Sequence, residues 1–350
     1  MKKKKNILVI GAFGGAKSKM EGQSVKTHNV YNMLIKRFDG NVSIFDTLNV
    51  RKNPISLFKL FVQIIKCDIS IIIPASGSFE KFFPFLYLMS KILKFEIILI
   101  CVGGWQVEFF LGKDIYKPHS LHLKLSKKIK AFLPQVKLVT KQLVENFGFD
   151  NCETFNNFRI VEEKEVDIKI NTNTLRLVYM ARIHKNKGYN IIFNFVEHIK
   201  DMNLDIKIDF YGNINQSNKD EFIDLVNKYQ NIVSYKDVLP PDKINSCLST
   251  YDLLLFPTRY YTEGIAGSVL DAYLAKIPVI ATNWKFASEI IEDGVNGIIV
   301  PFDNCQEEFN SSILHLYYDR NYLMQLKRGA SQTAKHYSEQ AAWDVISKYL

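Results

Sequence analysis

The sequence predicts an α/β chain wound as two parallel sheets, one in each half. Three observations carry this. Short apolar runs of strand length alternate with stretches of helical spacing along the chain. A length of 350 residues, 47% of them apolar, supplies two cores of ordinary domain size. Residues 256–301 read as a strand end, a polar loop, a helix and a second buried strand, the unit from which such sheets are built.

In the first half, residues 7–10 are a buried strand. Gly11, Gly14, Gly15 and Gly22 follow, ahead of a helix over 24–38. A strand, a Gly-rich turn and a helix N-terminus can hold a phosphate or a sugar. The spacing is neither G-x-G-x-x-G nor a P-loop. Lys26, near the helix start, either reaches an anion or is a surface lysine. Strands are expected at 41–45, 69–74, 97–102 and 138–139, helices at 57–65 and 79–93, and Gly148 closes a further helix. Gly103 and Gly104 end the fourth strand and admit a close approach to the backbone. Trp105 beside them is either a platform for an acceptor sugar or a packing ring. The first domain is expected to span 1–160, with a polar linker at 161–174.

The second domain, 175–335, opens with a strand at 175–179, then Arg182 and Lys187-Gly188. Strands follow at 206–211, ending at Gly212, and at 232–235, leading to Asp237 and Val238. Helices are expected at 221–229 and 242–250. The run 252–256 is a buried strand that Pro257 and Thr258 stop. Glu263 lies in the loop, and Gly264, Ile265, Ala266 and Gly267 present backbone N–H groups where the helix 268–276 begins. Such a terminus attracts anions, above all phosphate. Glu263 before it and Asp271 within it need polar partners there, such as sugar hydroxyls. A strand at 279–281 and helices at 307–317, 321–337 and 340–350 complete the chain.

Glu263-Gly264, seven intervening residues, a second acid at Asp271 and the Pro278-Val279-Ile280-Ala281-Thr282 strand resemble the retaining glycosyltransferases of family 4. Glu289-Ile290-Ile291, Asp293-Gly294, Asn296-Gly297 and Val300-Pro301 continue the resemblance, which covers roughly 175–303. It implies the GT-B fold: two Rossmann-like domains facing across a cleft, acceptor in the first and nucleotide sugar in the second, with residues 336–350 crossing back as a helix. It implies that Glu263 contacts the donor sugar and Asp271 the ribose. Arg182 and Lys187 supply the two cations for the donor diphosphate, in place of a metal. Gly14, Gly15, Gly212, Val238 and residues 264–267 line the donor, while Lys26, Gly104 and Trp105 lie toward the acceptor. The family usually has Glu where Asp271 stands, a Gly-Gly where Phe286–Ser288 stand, and often a His near Gly104; this chain differs at all three.

The implied activity is transfer of a sugar, with retention, from a nucleotide sugar (a UDP-sugar as the commonest donor) to a glycan acceptor. A lipid-linked precursor of a surface polysaccharide, such as a capsule or lipopolysaccharide, is the expected acceptor. No cofactor and no metal are expected. A sugar-nucleotide epimerase of the same architecture and a non-catalytic binding protein are the rival readings.

Five cysteines without paired or metal-like spacing point to a reducing cytoplasm. Residues 1–165 hold 26 Lys/Arg against 14 Asp/Glu, a net of +12, and residues 166–350 hold 19 against 22, a net of −3. A basic half fits an anionic partner or a solvated surface. No nucleic-acid-reading motif accompanies it. Residues 82–94 interleave Phe82, Phe85 and Leu88 with lysines, and residues 113–130 are Lys-rich. Together they are expected to make a face for anionic lipid, placing the protein at the inner face of the cell membrane.

Overall fold

The computed structural model describes residues 4–14, 22–50, 55–113, 117, 119–160 and 173–350. The chain divides into two compact units, residues 1–160 with 337–350, and residues 161–336.

The first unit holds β1 (Asn6–Gly11), α1 (Gly22–Arg37), β2 (Asn41–Asp46), α2 (Ser56–Lys66), β3 (Ile69–Ile73), α3 (Ser76–Leu93), β4 (Glu96–Ile100), α4 (Gln106–Leu111), α5 (Ser120–Ser126), β5 (Ala131–Leu133) and α6 (Lys137–Phe147). All described strand pairs are parallel, in the order β2-β1-β3-β4-β5. Every residue of central β3 is buried, whereas edge strand β2 is mostly open. β1 to β2 runs one way across the sheet; β2 to β3 and β3 to β4 run the other way. Right-handed crossovers therefore put α1 on one face and α2 and α3 together on the opposite one.

The last helix of the chain, α13 (Glu339–Ile346), belongs to this unit. Ala342 and Ile346 join the core beside Val30, Met33 and Leu34 of α1. Glu339 binds Arg37 at 2.5 Å and Lys36 at 3.1 Å. Burial raises the pKa of that carboxyl, but the two cations outweigh it and hold the group below its usual range.

The second unit holds β6 (Leu175–Met180), α7 (Tyr189–Ile199), β7 (Ile206–Tyr211), α8 (Lys219–Lys228), β8 (Val233–Tyr235), α9 (Ile244–Leu248), β9 (Leu253–Phe256), α10 (Gly267–Leu274), β10 (Val279–Thr282), β11 (Gly297–Val300), α11 (Gln306–Tyr318) and α12 (Arg320–Ala334). Its sheet is parallel, in the order β11-β10-β9-β6-β7-β8. The chain leaves β6 toward β7 and β8, then returns to the other side of β6 as β9. The strand order thus reverses between β6 and β9, and ligands of open α/β sheets bind outside the strand ends at such a point. Beneath it, Lys327 and Asp252 form an ion pair at 2.9 Å, with side chains only 3% and 4% exposed. Asp252 also accepts the Arg176 backbone N–H, so the pair ties α12 to β6 and β9.

One expectation needs correction, and one strand was not foreseen. Residues 138–139 lie in α6, and the fifth strand is 131–133, a three-residue run that Pro134 ends. So short a strand has no readable alternation, and the apolar pair 138–139 is one turn of a helix instead. The edge strand β11 went unread because Gly297 opens it and only its two ends are fully buried.

Candidate functional site

Two loops leave β6 and β9 at the reversal of strand order. The first, after β6, carries Arg182 and then a single 3₁₀ turn, Lys185–Lys187. The hydroxyl of buried Tyr179 donates to the carbonyls of Arg182 (3.0 Å) and Lys187 (3.4 Å), clasping the loop at both ends. Burial, with Glu263 nearby, pushes the Tyr179 pKa well up, so the hydroxyl keeps its proton. His184 Nδ1 caps the turn by accepting the Asn186 N–H at 3.0 Å.

Gly188 ends the turn at φ +75°, and a Cβ there would lie 1.7 Å from the Pro257 carbonyl oxygen. Only glycine lets the two loops approach this closely. The Arg259 N–H donates to the Asn186 carbonyl at 2.9 Å, a second stitch between them. Gly212, at the end of β7, plays a similar part at φ +138°: a Cβ would meet the Ala181 carbonyl at 2.0 Å. Its N–H donates to the Asp237 carbonyl, so the turns after β7 and β8 are joined. Val238 beyond is 47% exposed, and its N–H is taken by the Asp237 carboxylate.

The second loop brings Glu263 onto Lys187. The Lys187 ammonium and a Glu263 carboxylate oxygen form an ion pair, half-buried on both sides. Lys187 Nζ also lies 5.5 Å from the centre of the exposed Tyr260 ring. Tyr261 meets Phe302 edge-on, and Arg259 pairs with Asp303 at 3.0 Å, which fastens the outer side of the loop. Trp284 Nε1 donates to the Gly264 carbonyl at 3.3 Å. Ile265 and Ala266 are buried, and α10 starts at Gly267 with no side-chain cap and no acid in its first turn. Its positive end is therefore uncovered by any acidic side chain of its own. Asp271 stands one turn on, half-buried, on the partly open stripe with Gly267, Ser268 and Leu274. The buried residues of α10 are Val269, Leu270, Ala272 and Tyr273.

The second unit thus gathers Arg182, Lys187, Glu263, residues 264–267, Asp271 and Gly212 at or near its strand ends. Tyr179, Gly188, Tyr260 and Trp284 hold them, and sequence reasoning did not assign these four a role. Gly188, following a predicted cation, and the paired aromatics before Glu263 were the available signals. Among the described residues no group of three or more His, Cys, Asp or Glu is placed to hold a metal ion.

In the first unit, Gly14 is buried at φ +95° and Gly104 is buried; Gly15 lies outside the described residues. Trp105 is half-buried against Phe79 and Phe109, with its Nε1–H turned to the Val102 carbonyl at 2.8 Å. Lys26 requires a correction. It is fully buried, and its ammonium donates to the carbonyls of Cys101 (3.3 Å) and Phe155 (3.2 Å), with the Phe155 ring centre 5.2 Å away. Burial lowers its pKa to about 7. It reaches no anion in solution; it joins the end of β4 to the segment at 155.

Comparison with known proteins bears on the second unit most directly. Residues 161–333 match the model of the family Glycosyl transferases group 1. An uncharacterized glycosyltransferase of Methanocaldococcus jannaschii is 23% identical over 300 residues, covering 81% of this chain and 74% of the relative. The capsular polysaccharide biosynthesis glycosyltransferase CapM of Staphylococcus aureus is 26% identical over 199 residues, which span 56% of this chain and half of CapM. The crystal structure of HepE from Anabaena, in complex with UDP-glucose, superposes with a TM-score of 0.71 at 13% identity, covering 98% of each chain. Residues 161–333 thus resemble a glycosyl transferases group 1 domain, and the chain has the GT-B fold, with two parallel-sheet Rossmann-like units.

Proposed function

We propose that the protein is a retaining glycosyltransferase that moves a sugar from a UDP-sugar to a glycan acceptor without a metal. The Lys187–Glu263 pair, at the reversal of strand order and beside the α10 N-terminus, is the observation that carries this reading. A donor diphosphate entering there takes Lys187 as its cation, with Arg182 as the second. Glu263, released from Lys187, accepts hydrogen bonds from sugar hydroxyls, and Asp271 takes the ribose. As the bond from C1 to the diphosphate oxygen breaks, charge grows on the diphosphate, and the two cations and the helix end stabilise it. The acceptor oxygen bonds to C1 on the face the diphosphate leaves, and the acceptor's proton passes to the departing phosphate oxygen.

The acceptor is assigned to the first unit and is read as a lipid-linked precursor of a surface polysaccharide, met at the cytoplasmic face of the membrane. HepE with UDP-glucose and the capsular enzyme CapM support the donor and acceptor classes. The test is release of UDP from UDP-sugars in EDTA, with and without glycan acceptors. Turnover in EDTA is expected; turnover that needs added manganese overturns the metal-free mechanism, and no UDP release under any condition overturns the transferase.

A further inference from the structure

Ten of the 24 exposed large apolar side chains among the described residues fall within residues 55–92, on or next to α2 and α3. In α2 the only fully buried residue is Ile64. Leu57, Phe58, Phe61, Val62 and Ile65 form one stripe at helical spacing, and that stripe faces outward; Phe58 is 71% exposed. An amphipathic helix ordinarily turns such a stripe to the core, so α2 sits with its apolar side to the outside. Phe82, Phe85, Leu88 and Ile92 make a second outward stripe on α3. Both helices lie on the same face of the sheet, and α5 packs beside α3, where the His122 ring meets the Glu80 carbonyl at 2.9 Å.

The charges around these stripes are mostly positive. α2 carries Lys59 and Lys66 and no acid, and α3 carries Lys81 and Lys91. A shallow pocket at the end of α3 is lined by Tyr87, Lys91, Lys128 and Lys130 with Glu96. Glu96 is taken by Lys130 at 2.5 Å, which leaves the pocket net positive. Of the other acids nearby, Asp68 accepts the Asn6 N–H, and Glu80 is half exposed, 3.9 Å from His119.

We propose that the outer faces of α2 and α3 form one docking surface for an anionic phospholipid bilayer. Phe58, Phe61, Phe82 and Phe85 enter the acyl boundary, and the lysines meet headgroup phosphates, with Lys91 and Lys128 receiving one in the pocket. The charge selects this occupant over a second copy of the chain. A two-fold dimer sets a patch against itself, and here it would bring together lysines that outnumber the acids between them. Among the described residues no helix is long and apolar enough to cross a membrane, so the contact lies in the plane of the interface. The surface deepens the lipid-linked acceptor reading but stands on the first unit alone.

Flotation of the full chain with phosphatidylglycerol-containing and pure phosphatidylcholine vesicles tests it. Binding is expected to the anionic vesicles, to weaken with salt, and to fall at least tenfold in the double variant Phe58→Glu, Phe61→Glu. Met202→Glu, exposed on the second unit, keeps full binding. Thermal melting checks that the variants fold, and Lys59→Glu with Lys91→Glu replaces the Phe pair if it does not. A wild-type protein that ignores anionic vesicles at low salt, or folded variants that bind undiminished, overturn the proposal. So does a solution dimer that the Phe variant splits to monomers. UDP-induced thermal stabilisation is measured in parallel. Its loss with vesicle binding intact counts against the transferase, and the reverse counts against the surface.

Discussion

Lys26 and Lys187 hold equivalent places in their sheets but differ in their surroundings. Each follows the first strand of its unit's parallel sheet, close to the strand ends. Lys26 is sealed inside, bonded to two carbonyls and a ring, with burial lowering its pKa to about 7. Lys187 is half-buried, paired with a carboxylate and open on one side. The neighbouring chain makes the difference. Gly188 lets the Lys187 loop lie against buried Pro257 and leaves Lys187 itself partly open, while Lys26 is on α1 itself, in its second turn, where the helix presses on the sheet. A lysine near a strand end can meet a ligand only if it is left open to the outside. A third lysine, Lys327, shows the remaining case: fully inside, but matched by Asp252.

The largest expected effect separates Lys327 from the other two. Lys327→Ala leaves Asp252 buried without its cation and should cost about 3–5 kcal/mol of stability. Urea unfolding measures it. A loss below about 1 kcal/mol would mean that the pair is hydrated and does not tie α12 to the sheet.

Next comes Lys187→Ala. If the ammonium stabilises charge that grows on the diphosphate, kcat should fall by about 10²–10³, the scale for removing one preorganised donor. Stability should change by less than about 1 kcal/mol, since the pair is partly solvated. A large fall in melting temperature with little change in kcat would make Lys187 structural, as Lys26 is.

Glu263→Gln should follow, with kcat/KM down by about 10- to 150-fold. That corresponds to the loss of one charged hydrogen bond of roughly 1.5–3 kcal/mol. Wild-type kcat/KM would remove Glu263 from the sugar.

The two lysines also mark what the sequence made readable. The alternation of buried runs with helices was legible because central strands such as β3 are apolar throughout. The juxtaposition of Lys187 with Glu263 was legible only through the family pattern; 76 residues separate them, and no periodicity links such a pair. Lys26 was misread because its sequence neighbours, Ser24, Val25 and Thr27, resemble an ordinary helix start. What buries it comes from Cys101 and Phe155, far along the chain. The outward stripe of α2 was not legible for a related reason. Periodicity shows that a helix has an apolar side, and the tertiary structure decides whether that side faces the core.

The smallest effect near neutral pH is expected from Lys26→Met, and it is the sharpest test of the comparison. The folded-state pKa of Lys26, about 7, lies below the ordinary lysine value of 10.5 that stands for the unfolded chain. Between these values the unfolded chain binds more protons than the folded one, so stability rises with pH through that window. The contribution is fully present above the unfolded value and is lost as pH falls toward 7. Methionine has a similar length and no charge, so the variant should lose this slope while keeping much of the packing. It also gives up two hydrogen bonds, which at neutral pH offset the relief of not burying an amine. Chemical denaturation of wild type and variant at pH 7 and near pH 10 reads the difference. The wild type should gain on the variant as pH rises. Parallel stability at both pH values would mean that Lys26 stays charged inside the first unit, and the contrast with Lys187 would then rest on position alone.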